Sequence, residues 1–136
     1  MSHSIAMSDR NSRFLRQVLL ADAASSIGMG VLLTAGAGLL AAPLGLSQTL
    51  LLVAGLALFP CAALMVAAAR TQNRALTGLI VAGNVAWVLA SIAVLELWPG
   101  ITTAGMAFVA AQAVAVTVLA ALEWRGLKLL RHAAVA

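Results

Sequence analysis

The chain has 136 residues, of which 63% are hydrophobic and only 9% charged, with a mean hydropathy of +1.06. Soluble domains carry about 45–50% apolar and about 25% charged residues, so a water-soluble globule is excluded and an integral membrane protein fits. The net charge of +4 and the pI near 11.3 raise the question of nucleic acid, which the placement of the basic residues answers below.

In chain order, residues 1–17 form a basic segment with Arg10, Arg13 and Arg16. Four stretches then meet the requirement of about 20 mostly apolar residues for a membrane-crossing helix. They are about 18–42, 48–69, 76–97 and 103–124, together a transmembrane domain over 18–124. The first is too long for the h-region of a signal peptide and contains an acid, so it is read as a span. Pro43, Gly45 and Ser47 break the chain before the second span, and Ser47 is a natural N-cap. "RTQNR" (70–74) is the only polar run of the interior, and its Asn73 can cap the third span. Pro99-Gly100 ends that span, and the fourth restarts behind Thr102 or Thr103. A basic tail, 125–136, carries Arg125, Lys128 and Arg131.

Short turns between successive spans predict an all-α antiparallel four-helix transmembrane bundle. All eight Lys and Arg residues then fall on one side, with none near 43–47 or 96–102. The positive-inside rule puts both termini in the cytoplasm and accounts for the pI without nucleic acid. The expected surroundings are a lipid bilayer and other membrane helices.

The polar residues inside the spans are the candidates for function. Asp22 lies about 6 Å inside the boundary if the first helix enters near Val18. A mid-span aspartate costs roughly 2.5–3.5 kcal/mol, and the nine Leu, Ile and Val residues of 18–42 return about 3–5 kcal/mol on the same scale. Three readings of Asp22 stand side by side: a structural acid paired with Arg16, Arg74 or Arg125, a proton- or cation-binding site, and a contact with a partner subunit. Steps of four from Asp22 give Ser26, Gly30, Thr34 and Gly38. Ser26, Gly30, Thr34 and Gly38 make a small-residue face against which another helix can pack closely. In the third span Asn84, Trp87 and Ser91 share a face, and Gln112 in the fourth reaches a similar depth. An Asn84–Gln112 hydrogen bond is the expected interhelical link. The candidate polar intramembrane site is therefore Asp22, Ser26, Asn84, Trp87 and Gln112. Glu123 is placed at the cytoplasmic interface, and Cys61 beside Pro60 is read as a small packing residue.

Several chemistries lack their residues. The single cysteine, Cys61, rules out an internal disulfide or a CxxC pair, and His3 and His132 lie near the ends, so no cofactor and no metal site is expected. No nucleotide-binding glycine loop, Ser–His–Asp set or HExxH occurs, so no catalytic residue is assigned and an enzyme is not expected.

"ADAASS" with its glycine-rich continuation, "LGL" in the first turn, "NVAWVLAS", and "TTAGMAFVAAQA" ahead of Glu123 resemble a group of uncharacterised small four-span inner-membrane proteins of bacteria. The resemblance covers most of residues 14–127; it implies a four-helix membrane fold and supplies no activity and no site residue. The early acid also invites comparison with small multidrug-resistance transporters, which carry a glutamate in their first span. Here the acid is an aspartate nearer the interface, in different surroundings, and the one-sided basic residues oppose a dual-topology dimer. The leading expectation is thus a non-enzymatic protein acting by helix association, as an accessory subunit or a homo-oligomer. The alternative is a small proton- or cation-coupled transporter or channel using Asp22.

Overall fold

A computed structural model describes residues 1–135; Ala136, the last residue of the basic tail, lies outside them. The described chain is all helical. Its elements are α1 (Ser2–Ala35), α2 (Ala37–Leu44), α3 (Gln48–Thr71), α4 (Arg74–Leu97) and α5 (Thr103–Val135). Four of them, α1, α3, α4 and α5, are long and apolar enough to cross a membrane. Their outward faces carry the residues such helices show to lipid, with Leu79, Leu89 and Val114 each 60–64% exposed.

The caps act where the sequence places them. Ser47 accepts from the Leu50 N–H at 3.0 Å and Asn73 from the Leu76 N–H at 3.0 Å, each satisfying a donor that a first helical turn leaves free. Thr102 does the same for α5: its Oγ1 accepts from the Gly105 N–H at 3.0 Å and donates to the Pro43 carbonyl at 2.7 Å. That second bond, with Thr102 N–H on the Leu44 carbonyl, ties the α4–α5 turn to the end of α2. Gly45 closes α2 in the left-handed region (φ 64°), with Leu46 N–H returning to the Ala41 carbonyl, a geometry that favours glycine.

The elements are divided and lengthened relative to the sequence reading. The first span is divided: α1 stops at Ala35, Gly36 sits between, and α2 resumes at Ala37. The basic ends, set apart as 1–17 and 125–136, are helical from Ser2 in α1 and as far as Val135 in α5. At a rise of about 1.5 Å per residue α1 and α5 are each about 50 Å long, more than a ~30 Å hydrocarbon core requires. The two helices pack on each other around Leu15 and Gly126: a Cβ on Gly126 would meet Leu15 at 3.0 Å, and Leu127 and Leu130 are buried beside it.

The most extensive helix packing joins α1 and α3. Gly30 faces the Gly55 carbonyl and the Phe59 ring, and a Cβ on Gly55 would lie 2.9 Å from Leu33 and Thr34. Two apolar clusters result, one around Leu15, Leu19, Met65, Ala68, Ile80 and Leu130, the other around Leu33, Leu44, Leu51, Leu58 and Val109. By position along α4 and α5 a layer of buried polar side chains lies between them.

Candidate functional site

That layer starts from Asp22, only 2% exposed on α1. Asp22 stands six positions, about 9 Å of helix, beyond Arg16. Its hydrogen-bond partner is an amide: Asn84 Nδ2 donates to Asp22 Oδ2 at 2.7 Å and to Glu123 Oε2 at 3.1 Å. Arg74, one of the arginines considered for Asp22, instead donates to the Leu130 carbonyl at 3.3 Å. Both hydrogens of the Asn84 amide are thus spent on carboxyl oxygens. Glu123 is completely buried, and its other oxygen, Oε1, has no hydrogen-bond partner. Three helices supply this cluster, and its two acids stand 101 positions apart in the chain, at 22 and 123.

The second polar group lies further along α4. Trp87 Nε1 donates to Gln112 Oε1 at 2.7 Å, Gln112 Nε2 donates to Ser91 Oγ at 2.8 Å, and Ser91 donates to the Trp87 carbonyl at 2.8 Å. The expected Asn84–Gln112 bond is therefore replaced by two separate sets. The reason is reach: Asn84 lies one turn from Trp87 and meets the two acids, while Gln112 faces the indole and the serine above it.

The five residues read from the sequence as one polar site, Asp22, Ser26, Asn84, Trp87 and Gln112, all line a single cavity of about 340 Å³. Its other walls are largely apolar, and Asp22 is the only Asp, Glu, Lys, Arg or His among its lining residues. Ser26, buried, points its hydroxyl at Met65 Sδ at 3.7 Å. A second cavity of about 140 Å³ adjoins it, and Met29, Trp87 and Gln112 line both. The Trp87–Gln112 bond and the Met29 side chain thus form a partition between two chambers.

The small-residue face is used inside the chain. Ser26 and Gly30 are buried against α3, and Thr34 packs near Gly55, with its hydroxyl returned to the Gly30 carbonyl at 2.7 Å. Gly38 does not belong to that face: it is exposed, because the break at Gly36 interrupts the helical register. Cys61, read as a packing residue, is exposed and lines the large cavity.

Glu123 is the site residue that its depth along the fourth span placed at the cytoplasmic interface, as the one possible companion of Asp22. One signal pointed inward. Glu123, Gly126, Leu127 and Leu130 follow the spacing of a single buried helix face, and all four are buried. Comparison with family models, with curated proteins and with solved structures finds no match to this chain.

Proposed function

We propose that the protein is a multi-pass protein of a bacterial inner membrane, an antiparallel four-helix bundle with both termini in the cytoplasm. Its function is proton- or cation-coupled movement of a small solute. The observation that carries this reading is the cluster at the cavity wall, two buried carboxyl groups from α1 and α5 sharing one amide nitrogen. The bound oxygens lie within about 6 Å of each other. Two full charges at that distance repel by about 3 kcal/mol even at an effective dielectric constant of 20, and a buried unpartnered Oε1 adds the desolvation cost of an orphan acceptor. One proton held by the pair relieves both costs. Asp22 faces the cavity and Glu123 sits behind Asn84, so a cation arriving at Asp22 releases that proton, and its departure takes the proton back.

Only one of the two acids lines the cavity, which supports solute handling without chemistry rather than paired acid–base catalysis. The association reading, in which the chain is an accessory subunit or a homo-oligomer, draws its remaining support from Gly78. That outward position on α4 has nothing within 4 Å of an added Cβ, open room for another helix. The small-residue face through Gly30 is already covered by α3.

The test is proton movement in proteoliposomes carrying an entrapped pH dye while a sodium, potassium or organic-cation gradient is imposed. The wild-type protein moves protons faster than empty liposomes, and Asp22→Asn abolishes the difference. Equal rates in wild-type, variant and empty vesicles refute the proposal.

A further inference from the structure

We infer that the large cavity takes a small organic monocation with an apolar body, of about the size of a two-ring amine, an assignment that rests on the solute-handling reading above and narrows its substrate class. Charge comes first. Of the side chains on the cavity wall, Asp22 is the sole carboxylate, and no Lys, Arg or His lines it. An anion placed there would meet a carboxylate with no compensating donor, whereas a cation gains a charge-assisted contact in a poorly hydrated site. The Trp87 indole, on the same wall, offers a face for a cation, its N–H already committed to Gln112. Cys61 from α3 is the other titratable group on the wall, and Glu123 from α5 is screened from it by Asn84.

Size and access set the rest of the ligand. Benzene fits an engineered apolar cavity of about 150 Å³, so 340 Å³ accommodates a body with two fused rings. The walls that would hold it are side chains such as Leu58, Met65 and Ile80. Two further lining residues, Leu64 on α3 and Leu79 on α4, are themselves 42% and 60% exposed. Their exposure puts part of the cavity wall on the apolar outer face of the molecule. A solute entering there comes from the lipid rather than from water, which selects for an apolar body around the charge.

The experiment uses three probes of similar shape and different charge: (2-naphthylmethyl)trimethylammonium, its neutral isostere 2-neopentylnaphthalene, and 2-naphthylacetate. Binding to the full chain in lipid nanodiscs is measured by calorimetry, and the modification rate of Cys61 by N-ethylmaleimide reports occupancy of the cavity. The cation binds roughly tenfold or more tightly than the neutral isostere and slows Cys61 modification; the carboxylate does neither. In Asp22→Asn the cation loses its advantage and binds like the neutral isostere. Equal binding of the three probes by the wild-type chain, preference for the carboxylate, or no binding of any probe overturns the assignment without recourse to a variant. Calorimetry in two buffers of different ionisation enthalpy counts protons released per cation bound. Cation preference without proton release leaves the ligand class standing and removes the coupling, so the two proposals fail separately.

Discussion

Replacing Asn84 with leucine removes the one group that satisfies both buried acids while keeping side-chain volume nearly constant. Two hydrogen bonds to carboxyl oxygens are lost, at 2.7 and 3.1 Å. Bonds of this type contribute about 1.5–3 kcal/mol each, and removing one partner from a buried charged network costs about 3–5 kcal/mol. The expected destabilisation of Asn84→Leu is therefore about 3–5 kcal/mol. A background with Asp22→Asn and Glu123→Gln isolates the cause, since neutral amides lack the charge that makes these bonds strong; there the same substitution costs about 1–2 kcal/mol. Reversible unfolding in mixed detergent–lipid micelles, followed by helical circular dichroism, gives both values. An Asn84→Leu cost below about 0.5 kcal/mol, the level of an unremarkable surface change, refutes the reasoning. So does an equal cost in the two backgrounds.

Two glycines, one at the crossing of α1 and α3 and one on the open face of α4, make a sharper contrast. Gly55→Ala forces the helices apart, because its Cβ falls 2.9 Å from Leu33 and Thr34, and costs about 1–3 kcal/mol; Gly78→Ala, with open space around it, is neutral or stabilising by up to about 1 kcal/mol. The same unfolding assay reads both. Trp87→Phe removes the N–H bond to Gln112 Oε1 and lowers stability by about 1–3 kcal/mol through the acceptor left unpaired; the matched change Trp124→Phe, at a side chain 45% exposed, stays within about 0.5 kcal/mol. In a Cys61→Ala background, a membrane-impermeant maleimide applied to intact cells labels Ser47→Cys and leaves His3→Cys unlabelled. The reverse pattern would invert the proposed orientation.

Much of the fold was legible because its signals are local. Ser47, Asn73 and Thr102 announce helix starts by their own chemistry, and apolar runs of about 20 residues announce the long helices. The Gly36 break was not legible, since a glycine in an apolar run reads equally well as helix interior. The candidate site was legible as a set of residue types and not as a network. Asp22, Ser26, Asn84, Trp87 and Gln112 are conspicuous as polar groups in apolar surroundings, and they do share one cavity. Their partners depend on helix rotation and stagger, which spacing along one helix does not determine. Thus Asn84 turns to the acids rather than to Gln112, and Glu123 turns inward although Arg125 and Lys128 follow it on the same helix. Lys128 itself lies over the Trp124 ring, 5.8 Å from its centre, so the charged and buried faces of α5 coexist within one turn.

The central claim is that Asp22 and Glu123 hold one exchangeable proton between them through Asn84. Infrared difference spectroscopy on the protein in lipid, stepped in pH, observes it directly by the carbonyl band of a protonated carboxyl group. One such band is expected to appear and disappear with pH, to shift in Glu123→Gln, and to be lost when Asp22→Asn is added to that variant. A band unchanged by either substitution, or no pH-dependent carboxyl band at all, would contradict it.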